Sequence, residues 1–199
     1  MIHSRDRSYW IGASDASMVM GNWNTETFNK WYLQKLGINK DHFETIAMQT
    51  GTHFEHKILD AISPVIEKDA QIIIPELGLR VNYDGIGPNG HIFEVKTHRN
   101  PFKVTKAYWR QAQIEILAYN LEYKTTIPKL DIVSYQVTED DYTNFFNEID
   151  KSRIGLWPIE FDEDFCQDFI EKVKVLHDCI KRGVDPRVEA GKESGVSAP

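Results

Sequence analysis

Between Asp84 and Lys96 the chain reads Asp-Gly-Ile-Gly-Pro-Asn-Gly-His-Ile-Phe-Glu-Val-Lys, and this segment constrains the fold more than any other. An apolar run from Leu77 to Tyr83 leads into Asp84, a Gly/Pro/Asn turn follows, and a second apolar run starts at Ile92. Two β-rich runs joined by turn residues predict a hairpin. Side chains alternate along a strand, so Ile92, Glu94 and Lys96 share one face while Phe93 and Val95 take the other. A glutamate and a lysine inside so apolar a strand are costly unless they are paired or hold a metal. Asp84 can reach Glu94 across the hairpin. Two converging carboxylates beside a lysine form a divalent-cation site with a cationic helper, which is the equipment of phosphodiester hydrolysis. A partly exposed strand carrying a salt bridge is the alternative for so short a pattern, and the remaining chain has to decide between them.

The remaining signals predict a mixed α/β (α+β) domain with one central sheet flanked by helices. Helices are expected over Ser14 to Met20, Thr25 to Leu36 (ended by Gly37) and Thr50 to Ile62 (closed by Pro64). Strands are expected over Gln71 to Pro75, Leu77 to Tyr83, Ile92 to Thr97 and Asp131 to Val137. Lys106 to Leu121 is apolar nearly all round and reads as a buried helix. Glu139 to Arg153 and Asp162 to Arg182 read as amphipathic helices separated by a loop at Trp157-Pro158. One domain is expected over residues 1–190, helical toward its end, with a small polar tail over 191–199 expected to be disordered.

With 199 residues, 41% of them hydrophobic, the chain can bury a real core. No apolar run is long enough to span a membrane, and Met1 to Trp10 lack a signal-peptide core. Cys166 and Cys179 lie in one predicted helix and suggest neither a disulfide framework nor a zinc site, so a reducing cytoplasm is expected. The net charge of −7 argues mildly against nucleic acid. Yet Lys96, Arg99, Lys103, Lys106 and Arg110 occur in a stretch with no acid, whereas Glu139 to Glu171 is strongly acidic. The basic stretch suits a polyanion, and the acidic one is expected to stay away from it as a solvated helical face.

Three further groups can be set around Asp84, Glu94 and Lys96. Glu55, in Gly51-Thr-His-Phe-Glu55, lies on a core-facing helical edge where it could add a carboxylate or be an ordinary surface glutamate. Gln111 and Gln113, in Tyr108-Trp-Arg-Gln-Ala-Gln113, sit on the buried helix and need hydrogen-bond partners. Gln111 shares a face with Tyr108 and Glu115. Arg7 and Ser14 combine a guanidinium with a hydroxyl near a possible helix start, a combination that suits a terminal phosphate as well as a simple surface arginine and cap.

The order Arg…Gly-x-Ser-Asp, Gly-x-x-x-Glu, Asp…Glu-x-Lys and Tyr-Trp-x-Gln-x-Gln resembles the YqaJ-like viral recombinases, the phage lambda exonuclease branch of the PD-(D/E)XK nucleases. The resemblance runs from about Arg7 to about Asn120. It implies a restriction-endonuclease-like core, two Mg²⁺ ions (with Mn²⁺ able to substitute) and digestion of one strand of linear duplex DNA from a 5′ end. Carried over, Asp84, Glu94 and Glu55 resemble metal carboxylates, and the carbonyl of Val95 would add a backbone ligand. Lys96 resembles the lysine that orients or activates water, and Gln111 and Gln113 the motif that braces the site. Arg7 and Ser14 match a 5′-phosphate pocket, while Arg99, Lys103, Lys106 and Arg110 would flank the DNA. The implied partners are double-stranded DNA ends, a single-strand annealing protein and further copies in a ring-shaped trimer. Tyr83 stands where a proline often precedes the first aspartate, and the acidic C-terminal third matches nothing in the family pattern. Rival readings are an endonuclease or an exonuclease of other polarity with the same fold, a CRISPR-associated exonuclease (whose iron–sulfur cluster two cysteines cannot supply), a catalytically idle DNA-end-binding module and an acidic DNA mimic.

Overall fold

The hairpin forms with the register its turn imposes. The computed structural model describes residues 8–38, 45–62 and 64–188, so Arg7 and the tail expected to be disordered lie outside the described residues. β1 (Glu67–Ile74), β2 (Leu79–Ile86), β3 (Ile92–His98), β4 (Lys129–Gln136) and β5 (Ile154–Glu160) form one sheet in sequential order. All neighbours are antiparallel except β3 and β4, which run parallel. A parallel pair needs a crossover, and α4 (Lys106–Tyr123) supplies it. Thr105 caps α4 by accepting a hydrogen bond from the Tyr108 amide.

The helices cover both faces of the sheet. On one side α4, together with α1 (Ala16–Val19), α2 (Glu26–Lys35) and α5 (Glu163–Arg182), packs over Leu79, Val81, Tyr83, Ile92 and Ile132. On the other, α3 (Ile46–Ala61) lays Phe54, Ile58 and Leu59 against Phe93, Val95, Val133 and Tyr135. The first half of β3 is therefore covered on both faces, with Phe93 and Val95 against α3 and Ile92 and Glu94 buried on the α4 side. Seven consecutive residues of α4, Ala112 to Ala118, are buried, in line with a helix that is apolar nearly all round.

Two expectations fail in the C-terminal third. Glu139 to Arg153 is no α-helix; it holds only short 3-10 turns at Asp140–Tyr142 and Lys151–Arg153. Asp141 accepts from the Thr138 amide and hydroxyl, from Asn147 and from Arg153, while Asn144 accepts from the Phe146 amide. Such local side-chain bonds offer the backbone an alternative to the helical ladder. The expected loop at Trp157-Pro158 is instead part of β5. An edge strand tolerates proline because one side of it makes no ladder bonds, and Pro158 pairs opposite Asp131 on the sheet's outermost strand.

Candidate active site

The site is built where β2 and β3 part. Their ladder comprises only Gly85↔Phe93 and Ile86↔Ile92. The intervening turn is tight, with Asn89 and Gly90 both left-handed (φ 58° and 75°). A side chain at Gly90 would collide with the Tyr119 ring, so glycine there fixes how the hairpin sits on α4. One register step further sets Asp84 opposite Glu94. There the ladder gives way to a side chain: Asp84 Oδ2 accepts from the Val95 amide at 2.7 Å.

At the other end of β2, on the edge facing away from β1, Ile11 bridges Leu79. The Ile11 amide donates to Gly78 and its carbonyl accepts from Arg80. Between this bridge and the hairpin ladder a cavity of about 240 Å³ opens, and Ser14, Arg80, Asn82, Asp84, Glu94, Lys96, Gln111 and Glu115 line it. Ser14 is held there by its neighbour. Asp15 accepts from the Gly12 amide and the Trp31 indole, and it pairs with the buried Lys35 at 2.5 Å.

A continuous polar network occupies this cavity. Lys96 Nζ donates to Glu94 Oε1 at 2.6 Å and to Gln111 Oε1 at 3.2 Å. The Gln111 amide nitrogen donates to Glu94 Oε1 at 2.6 Å and to Glu115 Oε1 at 2.8 Å. Lys96 Nζ also stands 5.1 Å from the centre of the Tyr108 ring, within cation–π range. Lys96 borders a second cavity of about 330 Å³ on the α3 side as well, together with Gly51, Thr52, Glu55 and Val95. The lysine thus lies between the carboxylates of the sheet and the helical carboxylate Glu55.

So many acids around one lysine perturb one another. Burial, then the charges of Glu94 and Asp69, push Glu55 up to about 7. Burial, then Glu94 and Glu55, raise Asp84 against the opposing pull of the Val95 amide and Lys96. Glu115 is wholly buried, and burial followed by Glu94 raises it too. Burial works against the charge on Lys96, yet Glu94 beside it keeps the ammonium well above the ordinary lysine range. Strongly perturbed titratable groups of this kind cluster at functional sites. Glu55 belongs as well to a cluster with His56 and Asp69 whose ligand-type atoms lie within 4.8 Å of one another.

Asp84, Glu94, Lys96, Gln111 and Ser14 come together, with Glu55 and Val95 lining the α3-side cavity that Lys96 joins to this one. Gln113 does not join them. Its side chain donates to the Glu160 carbonyl and accepts from the Asp162 amide, tying the end of β5 to the start of α5. Two residues apart on a helix point some 200° apart, so both glutamines cannot serve one site. Lys103 and Lys106 are exposed ahead of and at the start of α4, and Arg110 is half-buried on it. Arg99 is paired with Glu139 and stacks over Tyr142, so the acidic stretch does not stay apart from the basic one. Sequence reasoning missed Arg80 and Asn82, although residues 80, 82 and 84 share one strand face by simple alternation.

Neither a family model nor a curated protein matches the sequence. Solved structures do match. The alkaline exonuclease LHK-Exo from Laribacter hongkongensis superposes with a TM-score of 0.64 at 16% identity, over 96% of each chain. LHK-Exo in complex with dAMP gives a TM-score of 0.66 at 18% identity over the same shares. A phage related exonuclease from Haemophilus somnus 129PT gives 0.59 at 12% identity, covering 92% of this chain and 96% of that one. The chain therefore has the fold of alkaline and phage-related exonucleases, a restriction-endonuclease-like α/β fold, in accord with the resemblance drawn from its motifs.

Proposed function

We propose that the protein is a divalent-cation-dependent deoxyribonuclease that digests linear duplex DNA from a 5′ end, as in phage-type homologous recombination. The observation that carries this reading is the junction of Asp84, Glu94 and Lys96 on two diverging strands, with Gln111 clamping Glu94 and Lys96 together. The fold it shares with exonucleases supports the same class, and the dAMP bound to LHK-Exo is a nucleoside monophosphate of the kind such digestion releases.

The donor set fits hard cations. It is made of carboxylate oxygens, their mutual repulsion is only partly offset by Lys96, and one buried oxygen, Glu115 Oε2, has no partner within the described residues. Asp84, Glu94 and Glu55, with the Val95 carbonyl, would hold two Mg²⁺ ions, for which Mn²⁺ could substitute. When bound, the cations supply Lewis-acid stabilisation of the phosphoryl group and acidify a water for attack. Lys96, kept charged by Glu94, stabilises the charge that develops on the phosphoryl oxygens. Gln111 keeps the Lys96 ammonium and the Glu94 carboxylate in place before substrate arrives, which limits reorganisation during reaction. Asp84 uses one oxygen to hold β3 through the Val95 amide. Ser14 would receive the 5′-phosphate at the same cavity, where Arg80 adds a guanidinium, and the motif order alone assigns Arg7 to that phosphate. Lys103, Lys106 and Arg110 would flank the duplex, whereas Arg99 is engaged by Glu139.

The test is incubation with Mg²⁺ of end-labelled linear duplex beside relaxed closed circles of the same sequence. Linear DNA should be degraded and circles should survive, and chelator should stop the reaction. Full activity in chelator would remove the cation mechanism, and cutting of closed circles would favour an endonuclease of the same fold.

A further inference from the structure

Glu115 is the one carboxylate of this cavity that the motifs leave without a task. It lies on α4 between Ile114 and Ile116, and all three are 0% exposed. Its Oε1 accepts from the Gln111 amide at 2.8 Å, while its Oε2 is buried without a hydrogen-bond partner among the described residues. An unpaired buried carboxylate oxygen is costly. Protonation does not remove the problem, since a carboxylic O–H aimed at no acceptor is equally unsatisfied. The missing partner therefore has to come from outside the described residues, and the cavity that Glu115 shares with Asp84, Glu94 and Lys96 is where it can enter.

We propose that Glu115 is a further carboxylate of the divalent-cation site, with Oε1 holding Gln111 and Oε2 directed to the hydrated cation beside Glu94. This rests on the nuclease reading above and adds a residue to it. Mg²⁺ retains several waters when bound, and carboxylates just beyond the direct ligands orient a site and tune its affinity. Glu115 is suited to that position because the Gln111 amide ties it to Glu94 across a single side chain. A plain core hydrogen bond to Gln111 would need an acceptor but not a negative charge, and a glutamine at this position would serve it.

That difference defines the experiment. Mn²⁺ is titrated by calorimetry into the DNA-free wild-type protein and into Glu115→Gln, with circular dichroism to confirm folding. Wild type should bind Mn²⁺, and the variant should bind about 10- to 100-fold more weakly. Its melting temperature without cation should be unchanged or higher, and the rise produced by Mn²⁺ should be smaller. Wild-type affinity in Glu115→Gln would overturn the role of Glu115 while leaving the nuclease reading intact. Failure of the wild type to bind Mn²⁺ at all would overturn both. As a second measurement, anomalous scattering from wild-type crystals soaked in Mn²⁺ should locate an ion whose hydration shell reaches Glu115 Oε2. An ion seated with its waters directed away from Glu115 would also refute the proposal.

Discussion

Replacing Lys96 by alanine should damage stability and catalysis in ways that can be separated. The Lys96 ammonium sits 2.6 Å from Glu94, whose side chain is only 7% exposed. Removing one partner of a buried pair leaves the other charged and unpaired, at a cost of about 3–5 kcal/mol. Asp84, Glu55 and Glu115 remain nearby to repel Glu94, so a loss near the lower end, about 3 kcal/mol, is expected once some of these acids take up protons. For a chain of this length each kcal/mol lowers the melting temperature by roughly 2–4 °C, which gives a drop of about 6–12 °C without divalent cation. A cation supplied at 100 times its dissociation constant returns about 2.7 kcal/mol, nearly the whole deficit. Cleavage should not return. Losing one transition-state electrostatic contact lowers the rate by about 10²-fold or more. Calorimetric melting with and without Mg²⁺, paired with cleavage rates on linear duplex, tests both halves. An unchanged melting temperature without cation would show that Lys96 does not offset the acids. Wild-type cleavage by Lys96→Ala would show that it is only a salt-bridge partner.

The metal-free protein should gain stability as pH falls from about 7 toward 5, because the folded-state pKa of Glu55, about 7, lies above its unfolded value; saturating Mg²⁺ should abolish this trend, and a flat profile without cation would contradict the electrostatic account. The opposite sign applies at Asp141, where hydrogen bonds from Thr138, Asn147 and Arg153 outweigh burial and bring the pKa down to about 2; its stabilisation should be lost only as pH falls from about 4 toward 2, and Asp141→Asn should flatten that limb of the melting profile. Gln111→Ala should cut the cleavage rate, whereas Gln113→Ala should lower the melting temperature by an amount equivalent to about 2 kcal/mol for two orphaned backbone partners and leave cleavage per folded molecule unchanged; the reverse ranking would reassign the two glutamines. Linear duplex with 5′-phosphates should be digested faster than the same duplex with 5′-hydroxyls at one fixed salt concentration, and Arg7→Ala or Ser14→Ala should erase that preference without weakening Mn²⁺ binding; a wild type indifferent to the 5′ group would end the phosphate-pocket assignment.

The hairpin was legible because its determinants are local. A turn of glycine, proline and asparagine and the two-residue alternation are enough to bring Asp84 and Glu94 opposite each other. Glu115 was less legible because its role depends on which face of α4 meets the sheet, and a helix that is apolar all round does not declare that face. Its spacing of four residues from Gln111 was the available clue. The helix expected over Glu139 to Arg153 shows the converse. The acid-and-apolar pattern there is compatible with helical spacing, but Asp141, Asn144 and Asn147 capture local backbone and side-chain partners. Trp157-Pro158 misled for another reason: proline argues against a strand only where both edges are paired, and sequence alone does not say which strand is outermost.

The net charge of −7 is best understood by position. Asp84, Glu94, Glu55 and Glu115 crowd around Lys96, and burial together with mutual repulsion raises the pKa values of Glu55, Asp84 and Glu115, so the folded chain opposes its own charge there. Elsewhere acids are neutralised in place, as Asp141 is by Arg153 and Asp15 by Lys35. A charge count made without cations therefore exaggerates the repulsion that DNA would meet, because two bound Mg²⁺ ions would bring the chain's net charge from −7 to −3 and would do so at the proposed phosphate site. The same arrangement makes the empty site unfavourable and the occupied one favourable. Cation binding and fold stability should therefore be coupled through the carboxylates assigned to the proposed reaction, and a variant that relieves the repulsion, such as Glu115→Gln, should stabilise the metal-free chain only by weakening its hold on the ion.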